Sequence, residues 1–283
     1  MKRPFTRFIG VDLGGGRGKT TALAEIRSAR DGGPGAEVVE VAVRAAKQPW
    51  TDDLLITRLP PVEPNSPSGV VVAIDAPLTQ TACGRCVLPA CPGTESCSVP
   101  AVVWLRETGR ALVRKVGAET VGGGTRMQHS AQARLAPYQH RATDVVMTYE
   151  RGLLPLAQLG AANGTIAARA GQLRRRLQGI GYVLHENLLE VSPSATVAAL
   201  AGVRAARGYK RDADPWRTRA LVLEQLADLS FAPQSRMARE DVMSNDHCFD
   251  AVMSAYTAFL WARDGWTAPE GLFVDDGWIV APP

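Results

Sequence analysis

Two apolar segments far apart in the chain each run directly into an aspartate, and this limits the fold more than anything else in the sequence. Phe8-Ile9-Gly10-Val11-Asp12-Leu13 is stopped by the glycine triplet Gly14-Gly15-Gly16. Gly69-Val-Val-Val-Ala-Ile-Asp75 is a continuous apolar run, the mark of a strand covered on both faces. A sheet with such strands needs helices on each side. Thr20 to Ile26 and Glu37 to Arg44 predict two further strands, the second alternating at Val39, Val41 and Val43, with Asp31-Gly-Gly-Pro-Gly35 as the turn between them. The first three strands therefore form an antiparallel meander.

Downstream, helices are predicted near Trp50–Leu59, Pro100–Gly117, Asp144–Leu159, Thr165–Leu177, Ala195–Ala201 and Trp216–Leu229. A fifth strand falls at Asn187–Val191. Asn245 to Arg263 has the clearest helical period, with Phe249, Val252, Met253, Tyr256, Phe259 and Leu260 on one stripe. The segment Leu272 to Val280, broken at Asp275-Asp276-Gly277, reads as a terminal hairpin. The order predicts one α/β domain over residues 1–283, with a mixed sheet of three antiparallel strands and then parallel ones, flanked by helices. A cysteine-rich loop and basic helical insertion occupy roughly residues 80–180.

Composition closes off other classes. Apolar residues make up 46% and charged residues 21% of the 283, which excludes disordered and collagenous chains. No apolar run reaches the ~18 residues of a membrane span, and Met1–Gly10 lacks an apolar stretch of signal-peptide length. A cytoplasmic location without membrane partners is expected, with the five cysteines reduced. Residues 101–220 carry 18 basic and 8 acidic side chains, whereas residues 221–283 carry 3 and 10. That contrast suits an anionic substrate brought to carboxylate-held cations.

Four carboxylates stand where a sheet would present them together: Asp12, Asp75, Glu190 and Asp250. Ligands of open α/β sheets collect outside the carboxyl ends of the strands, where Asp12 and Asp75 fall. Grouped carboxylates repel unless a cation neutralises them, and oxygen donors favour Mg²⁺ or Mn²⁺. Two such ions support phosphodiester hydrolysis. Each carboxylate also has an ordinary reading as a turn or cap residue, and for Asp246 the cap is the better one.

Gly10-Val-Asp12-Leu-Gly14, Val72-Ala-Ile-Asp75-Ala-Pro77-Leu, Leu189-Glu190-Val-Ser-Pro193-Ser-Ala-Thr196 and His247-Cys-Phe-Asp250-Ala251 resemble, in order, the blocks of domain-of-unknown-function family 429. That family is described as predicted nucleases with an RNase H-like fold. The last block is also similar to the closing motif of RuvC-type junction resolvases. The resemblance implies that Asp12, Asp75 and Asp250, with Glu190 less firmly placed, hold metal. It implies that His247 orients or deprotonates the attacking water or touches the phosphate; a capping or buried structural histidine is the plainer alternative. Arg141-Ala-Thr143-Asp144 also looks like a block of the family. Arg141 is a candidate phosphate contact with Asp144 as ion-pair partner or cap, and an arginine–aspartate pair of purely structural value fits equally. Lys19 and Arg126 complete the candidate substrate contacts, and DNA or RNA is the expected substrate.

Gly14-Gly-Gly-Arg-Gly18-Lys19-Thr20 misses the Walker spacing, because Leu13 stands where the first glycine belongs. An actin-like ATPase or kinase using that glycine turn, with Gly122-Gly-Gly-Thr125 as a second phosphate loop, is an alternative, as is a non-catalytic nucleic-acid binder. Finally, Cys83, Cys86, Cys91 and Cys97 place four thiols in one short stretch, suggesting structural Zn²⁺ or, alternatively, an iron–sulfur cluster. Unligated loop thiols remain the third reading.

Overall fold

The computed structural model describes residues 3–15, 20–29, 35–62, 69–119, 135–156, 164–233 and 239–283. Strands β1 (Arg7–Asp12), β2 (Ala22–Ser28) and β3 (Ala36–Ala42) form the expected antiparallel meander. A small hairpin of β4 (Arg44–Ala45) and β5 (Gln48–Pro49) follows, then helix α1 (Asp52–Arg58), capped by the Thr51 hydroxyl. Strand β6 (Val70–Asp75) returns to pair in parallel with β1.

Next come helices α2 (Pro100–Trp104) and α3 (Arg110–Glu119), joined by a wide helical turn at Leu105–Gly109, then α4 (Ala142–Val145) and α5 (Gly164–Gln178). Strand β7 (Leu188–Val191) leads into α6 (Pro193–Arg211), which breaks at Gly202, and α7 (Pro215–Gln225). The chain closes with β8 (Leu229–Phe231), α8 (Arg239–Ser244), α9 (Asp246–Asp264), α10 (Leu272–Asp276) and β9 (Ile279–Val280). The main sheet has seven strands in the order β8-β3-β2-β1-β6-β7-β9. It is an α/β fold with a mixed sheet, antiparallel and then parallel, as the strand order predicts.

Strand alternation sorts side chains between two cores. Phe8 on β1 and Val71 and Ala73 on β6 pack towards α9, with Leu189, Val191, Tyr209 and Val222 on the same side. Ile9, Val11, Val72 and Ile74 face the opposite core, which Leu55 of α1 and Ala170, Leu173 and Leu177 of α5 cover. Helix α5 thus belongs to the sheet's own core, although the sequence placed it in the insertion.

Two expectations are corrected. The C-terminal hairpin is a short helix followed by a strand parallel to β7, with Glu190 opposite Ile279. Gly271 and Gly277, both at positive φ, turn the chain at each end of that helix. The helix expected to reach Leu229 stops at Gln225, and Leu229–Phe231 instead extends the sheet beside β3. A short apolar run of this kind does not distinguish strand from helix by period. Among the described residues no helix is long and apolar enough to cross a membrane.

Gly10 sets the distance between β1 and α9. A Cβ at this position would lie 2.1 Å from the carbonyl oxygen of Ala251 and 2.3 Å from the amide nitrogen of Ala255. Backbone is not a neighbour that can swing aside, so any side chain here forces the helix off the sheet. Gly10→Ala is therefore expected to destabilise the protein by about 1–3 kcal/mol or more, read as a lower urea midpoint with an unchanged slope.

Candidate metal centre

The in-register parallel pairing of β1 with β6 sets Asp12 directly beside Asp75. Both continue the rows that face α9, since Phe8 and Gly10 precede Asp12, and Val71 and Ala73 precede Asp75, at two-residue steps. Asp250 lies near the start of α9, the helix that Gly10 admits. One carboxylate oxygen from each of Asp12, Asp75 and Asp250 lies within 4.8 Å of the others. Asp250 is 1% exposed, and its Oδ1 is buried without a hydrogen-bond partner.

The electrostatics record the cost of this grouping. Burial first, then the nearby Asp250 and Asp12 charges, hold the Asp75 carboxyl well above the usual carboxylate range. Burial pushes Asp250 up to about 6, with Lys210 pulling it down and Asp12 adding to the rise. The Lys210 ammonium lies 2.5 Å from Asp250 Oδ2. Burial alone would lower its pKa, but Asp250 reverses the direction and holds the amine charged.

His247 joins the same group. Its Nδ1 is 2.6 Å from Asp12 Oδ2, and this hydrogen bond raises the imidazole above its ordinary value against the opposing effect of burial. Asn245 caps α9, its side-chain oxygen accepting from the His247 and Cys248 amides. Asp246, expected as the cap, is only the first helical residue.

Glu190 is not brought into the trio. Its row on β7 pairs with Ile74, and its neighbours Leu189 and Val191 point to the α9 side, so its carboxylate leaves the sheet on the other face. There Arg141 grips it through two bonds of 2.6 Å and 2.9 Å, and the Leu78 amide donates at 2.8 Å. Of the two readings of Arg141, the structural pair with Asp144 holds and the phosphate contact is corrected. Arg141 is 1% exposed and is consumed by Glu190, Asp144 and the Thr79 hydroxyl, leaving no access for a phosphate. Asp144 fills both expected roles, pairing with the guanidinium and accepting the Arg141 amide at 3.1 Å.

Gly14 and Gly15 serve packing. The Gly14 carbonyl accepts from Arg169 at 2.6 Å, and a Cβ on Gly15 would meet Ile166 of α5 at 2.4 Å. Lys19, Arg126, the loop 122–125 and most of the turn 31–35 lie outside the described residues. The structure also adds Lys210, which the sequence reading missed. One signal was available, because lysine is scarce here, 5 against 27 arginines, and Lys210 follows an aromatic residue on an amphipathic helix.

An α/β protein with aspartates gathered at the carboxyl ends of parallel strands is the class defined so far. The sequence matches the family described as "Protein of unknown function (DUF429)" over residues 10–271, and the chain belongs to that family. No curated protein and no solved structure matches the chain.

Two outcomes follow. The unfolded chain ionises the Asp250 carboxyl near pH 4, whereas the fold delays this to about 6, so the metal-free native state binds the extra proton between those values. Thermal melting in chelator should therefore show stability falling as pH rises through that window, by roughly 1–3 kcal/mol, with a shallower slope in Asp250→Asn. Arg141→Met strands two buried carboxylates and is expected to cost about 3–5 kcal/mol in denaturant unfolding.

Proposed function

We propose that this chain is a divalent-metal-dependent nuclease or phosphodiesterase built on an RNase H-like sheet, acting on DNA or RNA. The observation that carries the proposal is the carboxylate trio with the buried, unpartnered Asp250 Oδ1, an arrangement that is unfavourable without a cation. The donors are all carboxylate oxygens, which fit Mg²⁺ or Mn²⁺. Held by Asp12, Asp75 and Asp250, such ions supply Lewis acidity at a phosphodiester. With Glu190 committed to Arg141, the two-ion scheme narrows to three carboxylates, and Lys210 supplies a further fixed positive charge beside Asp250.

His247 is half-exposed and tethered by Asp12, which suits it to receive or return a proton beside the carboxylates. The basic segment 101–220 offers attraction for the backbone of a polyanion. Against a phosphate-loop ATPase stands the commitment of Gly14 and Gly15 to contacts with α5.

The test is cleavage of single-stranded, duplex and branched DNA and RNA with Mg²⁺ or Mn²⁺. Asp12→Asn and Asp250→Asn are each expected to lose about 10²-fold or more in rate while melting no lower than wild type, because each removes repulsion from the trio. Activity retained by both variants removes these carboxylates from the reaction. Metal-independent binding without product would show a nucleic-acid-binding protein instead.

A further inference from the structure

A second cluster of metal-ligating side chains lies apart from the aspartates. Between β6 and α2, residues 76–99 form turns without helix or strand, and long segments of this kind are uncommon in compact domains unless something holds them. Apolar burial holds only its start, where Ala76 and Leu78 join the sheet's core; beyond them Val87 is 95% and Leu88 44% exposed, and the small core beneath the loop is Ala82, Cys97, Ala101 and Val102, with Val99 beside it. Ordering the backbone without burial is costly.

The same loop carries four free thiols on two tethered arms. The first is a tight turn in which the Cys86 amide donates to the Cys83 carbonyl at 3.4 Å, with the Gly84 and Arg85 amides bonded to Thr81 at 3.2 Å. The second arm is held by Arg106, whose guanidinium donates to the carbonyls of Thr94, Glu95 and Cys97 at 3.0 Å each. The arms meet beside Cys83, since Cys97 of the second arm packs in one small buried cluster with Ala82, the residue before Cys83.

From these positions we infer that Cys83, Cys86, Cys91 and Cys97 form a structural zinc site distinct from the aspartate trio. Zinc takes four thiolates in a tetrahedron with bonds of about 2.3 Å, and a Cys-x₂-Cys turn with two further thiols on the facing arm supplies that donor set. Among the described residues only the aspartate trio already has its donor atoms mutually within 4.8 Å, so zinc binding draws the sulfurs inward and tightens the loop. Arg106, which grips the Cys97 carbonyl, stands beside the site and offsets part of the net negative charge of a four-thiolate centre.

The loop's position gives the site its consequence. Arg85, between the first two cysteines, donates to Asp276 Oδ1 at 2.7 Å, while Asp276 Oδ2 accepts the Ala142 amide at 2.6 Å. The Thr79 hydroxyl donates to the Asp276 carbonyl and accepts from Arg141. A fixed Cys83–Cys86 turn therefore steadies the Arg141–Glu190 clamp from outside, and it forms one wall of an open cleft of about 500 Å³ lined by Arg85, Cys86, Arg174 and Asp275.

Elemental analysis of the full chain, purified under reducing conditions, is expected to find about one zinc per chain. Asp12→Asn and Asp250→Asn should keep it, whereas Cys86→Ser/Cys91→Ser should lose at least about nine-tenths of it and melt at a lower temperature. Should that double variant fail to fold, Co²⁺ exchanged into the wild-type chain should give the visible absorption of a tetrahedral thiolate centre. Folded protein without zinc and without such absorption on Co²⁺ addition, zinc retained by the folded double variant, or iron with a visible chromophore in its place would each overturn the inference.

Discussion

Everything at the candidate centre depends on the register between two parallel strands. Because β1 and β6 pair residue for residue from Arg7 and Val70 onward, Asp12 and Asp75 finish side by side and on the same face. Neighbouring strands are separated by about 4.8 Å, so two carboxylates in this relation cannot avoid one another. A slip of one residue would turn one of them to the opposite core. The register is secured by what precedes the aspartates, since Val70, Val72 and Ile74 are buried on one face and Val71 and Ala73 on the other.

The two faces of the sheet treat buried charge in opposite ways. On the α5 side, Glu190 is neutralised by Arg141, and Glu25, fully buried on β2, by Arg7, Arg27 and Arg58. Burial alone would raise Glu25, but hydrogen bonds from Arg7 and Arg27 outweigh it and hold the carboxyl below its ordinary value. On the α9 side, three aspartates share one lysine and one histidine. The first pattern yields stable ion pairs, whereas the second leaves negative charge uncompensated, and a protein can maintain such a deficit where a cation or a bound ligand supplies the balance.

Much of this was legible in the residues. Apolar runs closing on Asp12 and Asp75 located the strands and their edge, and the period of α9 placed Asp250 within a turn of His247. Glu190 shows where the reading stopped short. Its presence on a strand was evident, but which face it took depends on the parity of Leu189 and Val191 relative to β6, a property of register and not of composition. Arg141 stayed open between a phosphate contact and a structural pair for a related reason: its further partner Glu190 lies 49 positions away, and only the fold shows that the guanidinium is already satisfied. The short strands β8 and β9 escaped because two or three residues carry no usable period.

The separation of Asp12 from Asp250 along the chain affects how this molecule comes into being. During synthesis the meander and β6 emerge long before α9, and until that helix arrives the face bearing Phe8, Val71 and Ala73 has no cover. Such exposed apolar surface on a nascent sheet invites association with other chains, and contacts of high sequence separation form slowly. The centre is consequently among the last parts of the molecule to assemble, so an interrupted or prematurely folded chain would carry two of its aspartates and still be unable to close the third around them.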